Sequence, residues 1–279
     1  MTGRGESERI AIKQQQGHTA STNMINRVKN GIQRLLRRFG YQIIHAAPLS
    51  SAGDRTHEEV RPWATLAPWN ADPEFVTTYN AIKEYTLVDM YRCWELWTLV
   101  GQSAKLDGGG ILEIGVWRGG TGAIMARKAA LCGISDPVYL CDTFTGVVKA
   151  GTNDTRYRGG EHADTSRQLV ETLTREKLKL TNVEILEGIF PDQTARQIEG
   201  RHPRFRLCHI DVDVYRSAQD VLHWVWPRMG RGGLVVYDDY GFRGCEGIAK
   251  IVHEQIDERD RLVFHNLNGH AIVVKLIED

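Results

Sequence analysis

The stretch GILEIGVWRGGTG, from Gly110 to Gly122, joins a short apolar run to a glycine-rich turn. The apolar residues before Gly115 predict a buried strand, and the residues after the turn predict a helix. Glycines at a strand-to-helix turn let the backbone approach a ligand, and the free N–H groups at the start of the helix favour a carboxylate or a phosphate. The stretch therefore predicts the first strand and the ligand-binding turn of an α/β domain.

The spacing of the glycines in this turn excludes two common nucleotide loops. The dinucleotide pattern G-x-G-x-x-G fails because Met125 stands at the third glycine position when the count starts from Gly120 and Gly122. The P-loop pattern fails because Thr121 follows Gly120 where a lysine is required. The pattern that remains is E-x-G-x-x-x-G, which begins at Glu113 and is typical of enzymes that bind S-adenosylmethionine.

Downstream of this turn, short apolar runs alternate with helical patterns. The apolar runs are VYLCD (138–142), VEILEG (183–188), RLCHIDVDVY (206–215) and LVVYDD (234–239). Such alternation predicts a parallel sheet with crossover helices. Two further strands, LVFHNL and AIVVKLI, are joined by Asn268-Gly269, which is a strong hairpin signal. The predicted fold is Rossmann-like α/β, with a mostly parallel seven-stranded sheet, an antiparallel C-terminal hairpin and helices on both faces.

The second predicted strand ends with Asp142, at the place where open α/β sheets put an acid on ribose hydroxyls. A long polar segment from Thr143 to Ser166 follows, and its length exceeds that of a normal connection. We interpret this segment either as a lid over the site or as a disordered insertion. Together with the glycine turn, Asp142 predicts a nucleotide-type ligand at this edge of the sheet.

Two pairs of aspartates follow the later predicted strands, Asp211 and Asp213 in DVDVY and Asp238 and Asp239 in YDDYG. The carboxyl ends of parallel strands meet at one edge, so four carboxylates converge there. Such charges repel one another unless a cation joins them, and hard oxygen ligands suit Mg²⁺ rather than zinc. On an extended strand, Asp211 and Asp213 point to the same side about 6 to 7 Å apart. One of them can then hold metal while the other meets a substrate hydroxyl.

The composition excludes several classes of protein. The chain has 279 residues, 42% of them hydrophobic and 25% charged, which suits one large domain or a domain with an appendage. Because the formal net charge at pH 7 is zero, no nucleic-acid partner is expected. The five cysteines form no C-x-x-C pair and indicate reduced thiols. No apolar run is long enough to span a bilayer and no secretory signal is evident, so a cytoplasmic location is expected.

The residues before the main domain divide into three predicted regions. Residues 1–23 are polar and are predicted to form a disordered tail. Residues 24–46 contain a predicted basic amphipathic helix with five cations and no acid between 24 and 39. It either packs on its own domain or a dimer partner, or attaches at 24–40 to an anionic inner membrane face. Residues 47–104 are predicted to form a helical cap and substrate region.

From about Asp54 to Leu276, the sequence resembles the macrocin O-methyltransferase family, bacterial enzymes that methylate sugar hydroxyls, chiefly on macrolides and related glycosylated metabolites. The residues that carry the resemblance are TLVDMYR (86–92), EIGVWRGG (113–120), CDTFTG (141–146), LEGIFPD (186–192), HIDVDVYRS (209–217) and VVYDDYG (235–241). The resemblance implies a class I methyltransferase domain over residues 105–279.

The resemblance also implies roles for individual residues. Asp211, Asp238 and Asp239 would bind Mg²⁺, and Asp213 would be the general base. S-adenosyl-L-methionine would be held by Glu113, Gly115, Gly119, Thr121, Asp142 and Gly188. The implied function is methylation of a sugar hydroxyl in a glycosylated secondary metabolite or a surface polysaccharide precursor.

Other functions remain open on the sequence. A catechol- or phenol-type O-methyltransferase shares the metal and the cofactor, and only a panel of acceptors distinguishes it. A non-catalytic module that binds S-adenosylmethionine has no need of the four aspartates. A nicotinamide dehydrogenase is disfavoured by the glycine spacing. We expect a small glycoside or sugar as the acceptor, and a homo-oligomer.

Overall fold

The computed structural model describes residues 64–201 and 203–277, with a few isolated positions before residue 64. Among those positions, Ile32 and Leu36 are helical, but the predicted tail 1–23 and the remainder of the predicted basic helix lie outside the described residues. The chain divides into two units, Met1–Glu59 and Val60–Asp279. Within the described residues, no helix is long and apolar enough to cross a membrane.

A seven-stranded sheet lies at the centre of the second unit. Its strands are β1 Gly110–Ile114, β2 Val138–Asp142, β3 Val183–Glu187, β4 Phe205–Ile210, β5 Met229–Tyr237, β6 Arg261–His265 and β7 Ala271–Lys275. The strand order is β3-β2-β1-β4-β5-β7-β6. β1 to β5 are parallel, whereas β7 runs antiparallel to both of its neighbours, β5 and β6. The predicted sheet and its antiparallel C-terminal hairpin are confirmed.

Helices cover both faces of this sheet, as predicted. They are α1 Pro73–Ile82, α2 Met90–Ser103, α3 Gly120–Leu131, α4 Arg167–Glu171, α5 Arg196–Glu199, α6 Tyr215–Val225 and α7 Glu246–His253. Neighbouring strand residues point to opposite faces: Ile111 packs in the core under α1 to α3, and Leu112 packs in the core under α6 and α7. The sheet is therefore buried on both sides, which explains why its parallel strands are almost continuously apolar.

Within the described part of the predicted helical cap and substrate region at 47–104, the structure has two α-helices, α1 and α2, separated by a turn. Asp72 begins α1 by accepting a hydrogen bond from the Phe75 N–H at 3.0 Å, and Asp89 begins α2 by accepting from the Tyr91 N–H at 2.8 Å. Phe75 and Trp97 are buried in the same core as β1. The turn between the helices brings Tyr85 beside the glycine turn, where its carbonyl accepts from the Gly120 N–H at 2.9 Å.

Candidate active site

A cavity of about 310 Å³ opens at the carboxyl edge of the parallel strands. This is the edge at which open α/β sheets bind ligands. The predicted site residues that line it are Gly115, Thr121, Asp142, Gly188, Asp211, Asp213, Asp238 and Asp239. The other two, Glu113 and Gly119, are buried beside it without lining it. Residues 85–88, in the turn before α2, also line the cavity.

The glycine turn brings two strand ends into direct contact. Gly115 has a φ of 87°, and a Cβ there would lie only 1.6 Å from the Asp211 carbonyl oxygen. Gly119 has a φ of 89° and begins α3 without a side-chain cap, while a Cβ there would meet Val170 at 2.9 Å. Both positions require glycine, because any other residue would force the loop away from β4 or from the helix behind it.

The carboxylate and the backbone carbonyl of Asp142 together hold three loops at the cavity wall. Its Oδ2 accepts a hydrogen bond from the Trp117 N–H at 2.7 Å, and its Oδ1 accepts from the Phe144 N–H at 2.6 Å. The backbone carbonyl of Asp142 accepts from the Gly188 N–H at 2.9 Å. Burial raises the pKa of Asp142, although these backbone hydrogen bonds act in the opposite direction.

The aspartates form a cluster, but their backbone is not the extended strand that the sequence predicted. β4 ends at Ile210 and the chain turns, so Asp213 has a left-handed φ of 63° and donates its N–H to Asp239 Oδ2 at 3.0 Å. Carboxylate oxygens of Asp211, Asp238 and Asp239 lie within 4.8 Å of one another. The prediction of simple alternation along the strand is therefore wrong, although the four side chains do converge.

Burial and mutual repulsion raise the pKa of Asp211 and of Asp239 well above the ordinary value. Burial also raises the pKa of Asp213, although a hydrogen bond from Tyr157 and the charge of His162 act to lower it. A divalent cation would relieve this repulsion, and clustered carboxylate oxygens are the donors that Mg²⁺ prefers. The donor set therefore fits such an ion.

Asp238 differs from the other three aspartates because two histidines and an arginine surround it. Its Oδ1 faces His270 Nε2 at 2.8 Å and His209 Nε2 at 3.5 Å, and its Oδ2 is paired with Arg92. Burial would raise the pKa of Asp238, but these partners hold it far below the ordinary range. Burial likewise acts to lower the pKa of His209, yet Asp238 and Glu113 outweigh it and raise that pKa to about 9.

Three of these partners were not predicted from the sequence. Arg92 and His209 lie inside two blocks of the family resemblance, TLVDMYR and HIDVDVYRS, and nothing else in the sequence indicates that they belong to the site. His270 follows the hairpin turn, and no sequence pattern indicates a role for it. Glu113, expected to hold the cofactor, instead has a fully buried side chain whose Oε1 lies 2.9 Å from His209 Nδ1.

The long segment at 143–166 is an ordered wall of the cavity. Asp154 accepts hydrogen bonds from the Tyr215 N–H at 2.9 Å and from the Gly151 N–H at 2.8 Å. At the far end of the segment, Asp164 accepts from the Trp117 indole at 2.9 Å. These contacts fix the segment to α6 and to the glycine turn, so the alternative of a disordered insertion does not describe it.

The strand order, the antiparallel seventh strand and the glycine turn beside a carboxyl-edge cavity define a class I methyltransferase fold. The chain superposes on the O-methyltransferase NovP with a TM-score of 0.56, at 21% identity over 69% of this chain and 83% of that one. For CalS11, a calicheamicin methyltransferase, the TM-score is 0.59 at 18% identity over 81% and 99% of the two chains.

Residues 82–260 match the family described as macrocin-O-methyltransferase (TylF). The chain belongs to this family and is an O-methyltransferase. It is 31% identical over 189 residues to a tetracenomycin-C 4'-O-methyltransferase of Streptomyces olivaceus, whose substrate carries a dimethoxy-rhamnosyl group; the match covers 63% of this chain and 70% of that protein. It is also 31% identical to mycinamicin III 3''-O-methyltransferase of Micromonospora griseorubida, over 62% and 70% of the two chains.

Proposed function

We propose that this enzyme transfers a methyl group from S-adenosyl-L-methionine to a sugar hydroxyl in a glycosylated secondary metabolite or a surface polysaccharide precursor. The observation that carries the proposal is the position of Asp213. It lines the same cavity as the glycine turn and lies beside the carboxylates of Asp211, Asp238 and Asp239, which could hold a metal ion. The name of the Streptomyces olivaceus relative, which specifies a rhamnosyl-bearing substrate, supports a sugar acceptor.

On the cofactor side, the proposed contacts come from the loops that follow the first three strands. S-adenosyl-L-methionine would supply the methyl group as a sulfonium. Gly115 permits close backbone approach, and the first turn of α3, which has no side-chain cap and includes Thr121, offers N–H groups to a carboxylate. Asp142 stands at the end of β2, where an acid meets ribose hydroxyls, and Gly188 lines the cavity after β3.

On the acceptor side, we assign the proton transfer to Asp213. Asp211, Asp238 and Asp239 would hold Mg²⁺, which would lower the cost of deprotonating the hydroxyl. Asp213 takes the hydroxyl proton, and its raised pKa brings its basicity closer to neutral pH, where a general base works best. Its hydrogen bond with Tyr157 and its backbone contact with Asp239 hold the carboxylate in place.

The test is a methyl-transfer assay with labelled S-adenosyl-L-methionine and a panel of neutral glycosides, nucleotide sugars and catechols, with and without a chelator. We expect transfer to a sugar hydroxyl that requires a divalent cation. Transfer to catechols alone would establish the phenol-type alternative. Cofactor binding without turnover of any acceptor would support a binding module, and full activity after thorough chelation would overturn the role of the metal.

A further inference from the structure

Two glutamate–histidine pairs converge on one carboxylate beneath the cavity. His209 places Nδ1 2.9 Å from Glu113 Oε1 and Nε2 3.5 Å from Asp238 Oδ1. His270 places Nδ1 2.5 Å from Glu95 Oε2 and Nε2 2.8 Å from the same Asp238 oxygen. Both imidazoles are 0% exposed. Each histidine is thus held by a glutamate on one side and faces Asp238 on the other.

These groups come from four different parts of the fold. Glu95 lies on α2, Glu113 on β1 and His209 on β4, while His270 stands in the loop just before β7. Glu95 also accepts a hydrogen bond from Asn268 at 3.0 Å, so the hairpin loop is fixed to α2 on both sides of its glycine. The position of His270 therefore depends on how α2 is packed.

Stability does not account for this arrangement. Buried ion pairs give little net stability over apolar side chains of similar volume, because desolvation offsets their attraction. They do fix orientation, since a histidine with one nitrogen on a carboxylate has a set tautomer and ring plane. A carboxylate has about four lone-pair positions, so Asp238 keeps capacity for a ligand on its cavity side.

We propose that His209 and His270 are positioning residues that aim the Asp238 carboxylate into the cavity, and that Glu113 and Glu95 aim the two histidines. The inference rests on the proposed function, which assigns Asp238 to the divalent cation. On this view, the cap helix α2 contributes to cation binding although it supplies no ligand. Loss of such an outer partner typically weakens metal binding about 10- to 100-fold.

The test compares Mn²⁺ affinity, measured by electron paramagnetic resonance on the full-length protein without acceptor, with the thermal unfolding midpoint of each variant. His270→Ala is expected to weaken Mn²⁺ about 10- to 100-fold. His270→Gln is expected to recover part of the loss, because the amide restores one N–H toward Asp238. Lys275→Met is the control: this buried lysine lies on β7, the strand that directly follows His270, and its Nζ donates to the Trp226 carbonyl at 3.0 Å. It should lower the midpoint and leave Mn²⁺ affinity unchanged.

The outcomes separate this inference from the proposed function. Wild-type affinity for Mn²⁺ in both His270 variants would overturn the positioning role and leave the metal assignment standing. An equal loss in Lys275→Met would also overturn it, because general loosening of the hairpin would then be the cause. A wild-type protein that binds no Mn²⁺ would overturn the metal assignment and the positioning role together.

Discussion

At the scale of single residues, Asp213 combines an uncommon backbone conformation with a central position. A φ of 63° at a residue other than glycine typically costs about 1 to 3 kcal/mol and persists where surrounding contacts impose it. Here the imposing contact is the hydrogen bond from the Asp213 N–H to Asp239. The turn places the Asp213 side chain in the cavity wall with Tyr157, instead of along the line of β4.

Replacing Asp213 by Asn should remove the proton acceptor while preserving size. We expect kcat to fall about 10²- to 10⁴-fold, which is the usual effect of losing a general base. Affinity for S-adenosyl-L-methionine should change little, and added Mg²⁺ should not restore the rate. Asp211→Asn and Asp239→Asn serve as matched variants whose activity should partly recover as Mg²⁺ is raised. An Asp213→Asn enzyme with the full rate would rule out the base assignment.

Asp142 offers a second residue-scale prediction, because both of its carboxylate oxygens already accept backbone N–H groups. Asp142→Ala should weaken S-adenosyl-L-methionine by about 1.5 to 3 kcal/mol, the value of hydrogen bonds to a charged group, and should loosen the loop at Trp117. Asp142→Asn keeps one acceptor oxygen and should lose less affinity for S-adenosyl-L-methionine. Titration calorimetry measures both variants, and unchanged affinity in Asp142→Ala would remove this residue from the cofactor site.

At the scale of secondary-structure elements, the wall formed by residues 143–166 is fastened at its middle by Asp154. Asp154→Ala leaves the N–H groups of Gly151 and Tyr215 without their partner and should cost about 1 to 3 kcal/mol of unfolding free energy. Hydrogen exchange should accelerate within 143–166 more than in the sheet. Uniform acceleration across the domain would instead show that Asp154 supports the whole fold and not this wall in particular.

The start of α1 carries a pH-dependent contribution to stability. Burial acts to raise the pKa of Asp72, but hydrogen bonds from the Phe75 N–H and the Trp97 indole lower it below the ordinary 3.8. The ionised Asp72 carboxylate therefore stabilises the folded state above pH 3.8, and this stabilisation is lost as the pH falls through the lowered pKa of Asp72. Asp72→Ala should cost about 0.5 to 2 kcal/mol at pH 7, as for other helix caps. In urea unfolding, the difference from wild type should shrink at pH 3; an unchanged difference would contradict the charged cap.

The elements that local pattern specifies were predictable, and those that depend on distant contacts were not. Apolar runs and the Asn268-Gly269 turn predicted every described strand. Hydrophobic periodicity and turn preference depend on residues that are close together in the sequence, so they can be recognised there. The break between α1 and α2 was missed because it is set by contact with the glycine turn at Gly120. The surroundings of Asp238 were missed for the same reason: its partner His270 is 32 residues away in the chain.

At the scale of the whole molecule, the division at residue 59 predicts that the catalytic unit folds alone. Deleting residues 1–59 should leave the thermal midpoint and the affinity for S-adenosyl-L-methionine close to those of the full chain.

If the basic stretch at 24–40 is an attachment device, only the full chain should sediment with anionic vesicles, and added salt should release it. Equal binding to neutral vesicles would refute that role.

Light scattering on the full chain and on the chain without residues 1–59 tests the expected homo-oligomer. A measured mass equal to that of a single chain would contradict it.

The insertion of β7 between β5 and β6 has a consequence for synthesis. As the chain leaves the ribosome, β5 emerges with an unpaired edge, and the strand that covers this edge is the last of the seven to appear. Because His270 belongs to the same late segment, the sheet and the surroundings of Asp238 are completed together. Nascent chains halted at residue 260 should be digested readily by protease, whereas chains with residue 275 outside the exit tunnel should resist it. The enzyme can therefore become catalytically competent only after the segment that contains His270 and β7 has left the ribosome.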